Sequence, residues 1–466
     1  MPVIHWFRRD LRLTDNFALA AACQTGEPVI PLFIFDPAIL SSPNVGAPRV
    51  AFMLKALNAL DKALREHGGK LIVRRGQPEA VLIQLMRETG ASTVYFNRDY
   101  TPYARKRDSA ILKTLNGHPF DDVALLPPEA VMKADGGPFT VFTPFKNAWL
   151  KVPKPQMADS PASMNFVGNL QSDAMPTPHD LGFEPTFEVP EASETEAMRR
   201  LQSFLHQRVY RYKVGRNELA ADPHDDTLTG TSFLSPYLRF GLLSPRQAYW
   251  AARHAYQSTG KPSGQESVET WVSELVWRDF YMHILYHFPH AAKGNYRQSY
   301  EALEWRQAED ELTAWKQGLT GYPIVDAAMR QMNQMGWMPN RARMIVASFL
   351  TKDLLIHWQE GERYFMQRLI DGDPAANNGG WQWAAGTGTD AQPFFRIFNP
   401  VSQSEKFDPD GAYIRRWVPE LRDVPKEYVH APWMMPTPPK GYPPPIVDHA
   451  FARQRTLSAF KAVREK

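Results

Sequence analysis

The most chemically suggestive stretch of the chain is Trp271-Val-Ser-Glu274-Leu-Val-Trp277-Arg278-Asp279. On a helix, Trp271, Glu274 and Arg278 share one face, and Trp277 stands three residues from Glu274. A carboxylate beside flat aromatic surfaces suits the holding and hydrogen bonding of a planar base, and aromatic platforms take up flipped or single-stranded bases by stacking. The same pattern also describes a core stripe with a surface ion pair. A second stretch is Asp371-Gly-Asp373-Pro-Ala-Ala-Asn377-Asn378-Gly379-Gly380-Trp381-Gln-Trp383. Asn-Gly-Gly is a turn signal, and turn glycines let backbone approach a ligand closely. A plain loop explains the Asn and Gly residues but not the two tryptophans. Asp371 and Asp373 have no further ligand at a useful spacing, which speaks against a metal.

Two further segments offer groups for anions. Thr229-Gly230-Thr231-Ser232-Phe-Leu-Ser235-Pro236 precedes a helical run. Hydroxyls and N–H groups at a helix start form either an anion site or an ordinary N-cap. Upstream, Tyr212 and Arg216 are spaced i,i+4 and could close such a site. Asn340-Arg341-Ala-Arg343-Met344 puts two arginines at another helix start, and Arg396 and Lys406 add positive charge after the tryptophan-rich segment. The chain has 53 Lys+Arg and 50 Asp+Glu, a net of +3. Binding to a phosphate backbone therefore requires the positive charge to gather in one patch; scattered surface arginines are the alternative. The single cysteine, Cys23, excludes an intramolecular disulfide and thiolate clusters. No signal peptide or spanning segment is legible, and an intracellular, cytoplasmic protein is expected. Thirteen tryptophans exceed what a core of this size needs.

The elements that must position these residues fall into two groups. Val3–Phe7, Val29–Phe35, 70–74 and 92–96 read as strands, with helical patterns at 49–67, 78–88 and 103–115 between them. This alternation over 1–126 predicts a parallel sheet covered by helices, a Rossmann-like α/β domain. Such a sheet binds ligands beyond the carboxyl ends of its strands, at loops 8–16, 35–44 and 97–103. No glycine fingerprint for a dinucleotide or a P-loop follows a strand. Residues 127–190 hold eleven prolines and little periodicity, and predict a long surface linker. From 191 to 466 the pattern is helical, with helices expected at 194–207, 244–256, 267–286, Glu309–Gln317, 322–335, 341–355 and 360–369. The proline-rich tail, 431–445, is expected to wrap the surface before a last helix at 450–462.

Together these segments, with the start Trp6-Phe-Arg8-Arg-Asp10-Leu-Arg-Leu-Thr-Asp15-Asn16, closely resemble the DNA photolyase/cryptochrome family over essentially the whole chain. They are most similar to a class I cyclobutane pyrimidine dimer photolyase. The resemblance implies an α/β antenna domain and an all-α domain that holds FAD in a folded form, active as FADH⁻. Carried over, the FAD contacts are Tyr212, Thr231, Ser232, Leu234, Ser235, Trp271, Glu274, Arg278, Asn340, Arg343, Asp371, Asp373 and Asn377. Asn377 is the residue beside flavin N5. An amide there hydrogen-bonds without adding a like charge. Trp381, Trp358 and Trp305 match the family's electron wire. Glu274, Trp277, Asn340, Met344 and Trp383 match its lesion pocket, with Glu274 donating to the dimer carbonyl if protonated. Arg341, Arg396 and Lys406 match its contacts to phosphate.

For the antenna, Tyr103 and Ala104 stand where folate-binding members carry Asn-Glu. The segment Ala47-Pro48-Arg49-Val50-Ala51 is more similar to deazaflavin-binding members. The resemblance thus implies 8-hydroxy-5-deazaflavin near Phe35, Arg49 and Asp99, with FMN, the folate MTHF or an empty pocket as alternatives. Phe233 and Pro339 depart from the residues commoner in these strings. The implied function is light-driven repair of cyclobutane dimers in UV-damaged DNA by a monomer. A cryptochrome-type blue-light receptor and a redox flavoenzyme unrelated to DNA are the alternatives.

Overall fold

The computed structural model of the protein describes residues 1–159, 164–220, 230–391, 393 and 395–464. Thr229 lies outside them. Strands β1 (Val3–Phe7), β2 (Val29–Phe35), β3 (Ile72–Arg75), β4 (Val94–Asn97) and β5 (Gly117–Phe120) form a parallel sheet in the order β3-β2-β1-β4-β5. Every residue of β1 and β2 is buried, which is why both read as unbroken apolar runs. Helices of eight residues or more are numbered. In this domain they are α1 (Phe17–Gln24), α2 (Ala47–Glu66), α3 (Pro78–Thr89) and α4 (Pro102–Thr114). A proline in the first turn starts each of α2, α3 and α4, where its missing N–H costs nothing. α1 and β5 are not among the elements expected from the sequence. β5 contains Gly117 and Pro119, poor strand formers that an edge strand tolerates.

The linker departs from expectation. It contains a helix, α5 (Phe142–Lys151), whose Phe142, Phe145 and Trp149 are buried against Val276 and Phe280. Farther on, Val29 N donates to Asn165 O at 2.8 Å and Val167 N donates to Val29 O at 2.9 Å. The linker thus pairs with β2 below the point where β3 begins, and it is built into both domains rather than draped over them.

The second domain contains α6 (Glu194–His206), α7 (Pro245–Ser258), α8 (Pro262–His287), α9 (Glu309–Gln317), α10 (Pro323–Met335), α11 (Asn340–Ser348), α12 (Trp358–Arg368), α13 (Pro374–Ala385), α14 (Pro400–Phe407) and α15 (His449–Arg464). The continuous helix expected at 341–355 is broken. After Ser348 the chain makes a π turn over Phe349–Asp353, and Leu355 takes a left-handed φ of 52°. Among the described residues no helix is long and apolar enough to cross a membrane, and no group of three or more His, Cys, Asp or Glu could hold a metal.

The carboxyl edge of the sheet docks on the helical domain. Phe52 of α2 packs on Tyr237 and Phe240, each at 5.5 Å. Gly241, with φ 65°, lies so close to the β1 loop that a Cβ would stand 2.0 Å from Arg9 O. Behind this contact is a buried charge network. Arg12 donates to Asp122 at 2.6 Å and to Gly241 O at 3.0 Å. Arg246 reaches Asp122 at 2.5 Å and Asp15 at 3.0 Å, and Ser244 bonds Asp15 as well. Burial would raise the Asp122 carboxyl, but Arg12 and Arg246 hold it below its ordinary range. Nearby, burial of Asp10 is likewise outweighed by His5, the Arg8 N–H and Arg12, leaving it at about 2.

Asp122→Asn strips two buried guanidiniums of a counter-charge. It is expected to cost about 3–5 kcal/mol in urea unfolding. Because both carboxyls titrate low when folded, their stabilisation is full above about pH 4 and is lost as pH falls toward the folded values. The variant is expected to show a shallower acid loss of stability than the parent.

Candidate active site

A cavity of about 500 Å³ lies within the helical domain, walled by α8, α11, α13 and the segment around Thr231–Arg239. Helix α8 presents Trp271, Glu274, Trp277 and Arg278 to it, as the 3–4 spacing predicts. Trp271 is buried and donates from Nε1 to Ser232 Oγ at 3.3 Å. All the residues expected to contact FAD line this one cavity, as do Trp277, Met344, Trp383 and Trp381.

The second motif is not a turn. Asn377-Asn378-Gly379-Gly380 lies inside α13. Asp373 caps that helix, accepting from Ala375 N at 2.9 Å and Ala376 N at 3.1 Å, with Pro374 at the first position. This start outweighs the local turn preference of Asn-Gly-Gly. A Cβ on Gly379 would sit 2.0 Å from the Tyr281 ring. The glycine is there so that α13 can lie flush on α8.

The polar groups divide by depth. On the buried side, Asp371 Oδ2 accepts from Ser235 Oγ at 2.6 Å and from Arg343 at 2.8 Å, while its Oδ1 is buried without a partner. A buried acceptor in this state calls for a donor from a ligand, such as a hydroxyl or ring N–H. Asp373 meets Arg9 at 2.5 Å and Arg239 at 3.8 Å. Burial would raise its carboxyl, but Arg9, Arg239 and Arg278 hold it well below the usual range. Arg9 has one further carboxylate, Asp99, at 3.3 Å. Three guanidiniums thus face two carboxylates, and the surplus positive charge suits an anionic group such as a diphosphate. The residues present therefore fit FAD at both its polyol and its phosphates.

Asn377 donates from Nδ2 to Glu362 O at 3.0 Å, which leaves its Oδ1 as the remaining acceptor. Asn378 donates to the Glu362 carboxyl at 2.9 Å, and burial raises that carboxyl to about 7. Nothing in the sequence spacing pointed to Glu362.

Toward solvent the lining turns aromatic. Trp277 stacks on Phe142 of the linker helix, 3.5 Å apart and 3° from parallel, and Met344 and Trp383 are half-buried. Glu274 does not stand alone: Arg216 donates to its Oε1. Burial raises the Glu274 carboxyl and Arg216 opposes the rise, the net direction being upward. Phe233, at φ 54°, lines the cavity with its ring 4.4 Å from Trp337. Pro339 is the N-cap of α11 and supplies no side-chain bond.

Trp381 lines the cavity and also leads away from it, and the remaining expected residues lie outside the lining. The Trp381 ring rests on α12 at Gly361, where a Cβ would come within 2.0 Å of it. Trp358, three residues before Gly361, is fully buried, and Trp305 is half-buried. The Arg341 and Lys406 cations both sit over the Phe407 ring, at 4.2 and 5.4 Å. Arg396 is exposed between α13 and α14. The three residues expected near the antenna each have protein partners. Phe35 is in the sheet core against Phe33, Arg49 crosses to Met366 O at 2.6 Å, and Asp99 pairs with Arg9. Arg49 and Asp99 thus sit at the seam between the domains.

Comparison with known proteins gives a consistent result. Residues 3–163 match the family model for DNA photolyase, and 271–462 match that for the FAD binding domain of DNA photolyase. The chain is 43% identical over 473 residues to a deoxyribodipyrimidine photo-lyase of a Synechococcus species, covering 98% of this chain and 96% of that one. A bacterial class III photolyase from Agrobacterium tumefaciens superposes with a TM-score of 0.90 at 39% identity, covering 100% of this chain and 98% of that one. An archaeal photolyase from Sulfolobus tokodaii with two FAD molecules superposes at 0.85 with 35% identity, covering 99% and 100%.

Gly379→Val drives a branched side chain into Tyr281. It is expected to cost about 1–3 kcal/mol by overpacking. The loosened α13 is expected to lower the flavin carried by the purified protein, read as the ratio of visible to ultraviolet absorbance.

Proposed function

The chain belongs to the DNA photolyase family, and from that premise we infer that it is a deoxyribodipyrimidine photo-lyase that splits cyclobutane pyrimidine dimers in UV-damaged DNA under blue light. The observation that carries this reading is a single cavity whose depth is built for a dinucleotide and whose outer walls are the rings of Trp277 and Trp383. When bound, FAD as FADH⁻ supplies the light-driven electron that opens the dimer and takes it back afterwards.

The chain's own residues do the rest. Arg239 and Arg278, which line the cavity, would hold the cofactor's phosphates, and Asp371, fixed by Ser235 and Arg343, would accept from its donors. Asn377 offers an amide acceptor beside the flavin without a second negative charge. The dimer, flipped from the duplex, enters between aromatic faces that replace its lost stacking. Phe142 holds one face of Trp277, so the ring presents the other to the base. Glu274, raised by burial and steadied by Arg216, donates to a dimer carbonyl as negative charge develops there. Asn340 and Met344 complete the pocket and carry the class I reading. Arg341, Lys406 and Arg396 take backbone phosphates, which adds affinity with little sequence preference. Trp381, Trp358 and Trp305 form the path that restores the reduced flavin. We assign the second chromophore to a deazaflavin-type antenna on the strength of Tyr103, whose hydroxyl is turned onto Asp36 at 2.5 Å. A monomeric, cytoplasmic protein suits this role.

The test mixes the reduced protein with dimer-containing single- and double-stranded DNA, in light and in darkness. Loss of dimers in the light alone is expected; binding without repair would favour a receptor. Glu274→Gln keeps the shape and removes the acidic proton. It is expected to lower repair by about 1.5–3 kcal/mol, roughly ten- to a hundredfold. Unchanged repair would remove Glu274 from the chemistry. Arg341→Ala is expected to weaken binding of all DNA sequences alike and to reduce the salt slope by about one.

A further inference from the structure

Between Trp305 and Trp358 stands His357. Its ring centroid is 5.1 Å from that of Trp305 and 5.7 Å from that of Trp358, on which it stacks at 28°. The backbone puts it there: after the π turn and the left-handed Leu355, His357 becomes the N-cap of α12. Its Nδ1 accepts the Gln359 N–H at 3.2 Å, which fixes the ring and leaves the hydrogen of the neutral form on Nε2. Trp358 donates to the buried Asn295 carbonyl at 2.8 Å, an amide that does not titrate. The charged groups facing His357 are Glu301, from the turn before Trp305, and Glu360 and Arg363 of α12, which pair with each other at 3.2 Å.

We propose that His357 gates the tryptophan path: the neutral imidazole bridges Trp305 and Trp358, whereas the imidazolium sets a positive charge against both rings and blocks arrival of an electron hole at Trp305. The proposal rests on the photolyase reading above. Trp381 gives one electron to the light-excited oxidised cofactor, Trp358 refills Trp381, and Trp305 refills Trp358. An external thiol then refills Trp305, and two such events yield one disulfide. A cation beside a ring raises the energy of that ring's own cation through Coulomb repulsion, which is strong where water is excluded. Burial lowers the basicity of His357 against the pull of Glu301 and Glu360. The path is therefore open at neutral pH and closes only as pH falls through the lowered value of His357, beneath the ordinary histidine value of about 6.5.

The test is flash excitation of the holoprotein with oxidised FAD, following the long-lived tryptophan radical by transient absorption at about pH 8 and about pH 5. In the parent the radical yield is expected to fall at least about fivefold on acidification. In His357→Asn, or in His357→Gln as a second neutral variant, it is expected to stay level. In His357→Lys, which carries the charge permanently, it is expected to be low at both pH values. A parental yield that does not change with pH, an equal fall in the neutral variants, full yield in the lysine variant, or no tryptophan radical at any pH overturns the proposal. Dimer repair by the dithionite-reduced protein, which bypasses the path, is read in parallel. Its absence counts against the photolyase reading; its presence beside a flat radical profile counts against His357 alone.

Discussion

Two arginines and two aspartates, buried between the domains, are the constraint on which the site depends. Arg12, Asp15 and Asp122 come from the sheet side, and Arg246 from α7. Taking four charges out of water is expensive, and the gain returns only if both domains sit in one relative position. The network is thus a device for register more than for stability. Once it is set, Gly241 lies against Arg9 O, and Arg9 can cross to Asp373. Asp373 starts α13, and α13 carries Asn377, Trp381 and Trp383 into the cavity. The position of the flavin wall is therefore fixed partly by the first loop of the chain.

That dependence explains what the sequence made legible. The sheet was readable because β1 and β2 are buried on both faces, and the helices of the second domain because their faces repeat at helical spacing. The lining of the cavity was readable only through long composite motifs: Ser232, Asn340 and Asn377 are far apart in the chain and share no periodicity. The Asn-Gly-Gly segment misled because turn preference is local, whereas its helix is imposed by the Asp373 cap and by contact with Tyr281. For the antenna residues the sequence offers two readings. A buried arginine beside a sheet edge serves a ligand or a domain interface equally well by sequence, and Arg49 bonds across to Met366 O. His357, Glu362 and Phe142 left no signal, since each acts through a neighbour that only the fold supplies.

The near-neutral charge of the chain takes on a different meaning in three dimensions. A net of +3 says little, because many charges cancel locally in pairs such as Arg330–Glu420 and Arg306–Glu311. Two local concentrations matter more: the guanidinium surplus at the depth of the cavity, and the Arg341 and Lys406 cations sharing one phenyl ring outside it. The first is enclosed within the protein, and the second stands outside the cavity.

The stack of Phe142 on Trp277 has a consequence for how this protein could be taken apart or recombined. The segment joining the domains is commonly treated as replaceable thread, open to shortening, lengthening or exchange. Here one of its rings backs the aromatic wall of the pocket in parallel contact at 3.5 Å. A chimera that kept both domains and substituted the joining segment would leave that wall with an unsupported face. The unit of inheritance for the pocket is thus longer than the helical domain, and begins upstream of it, at α5.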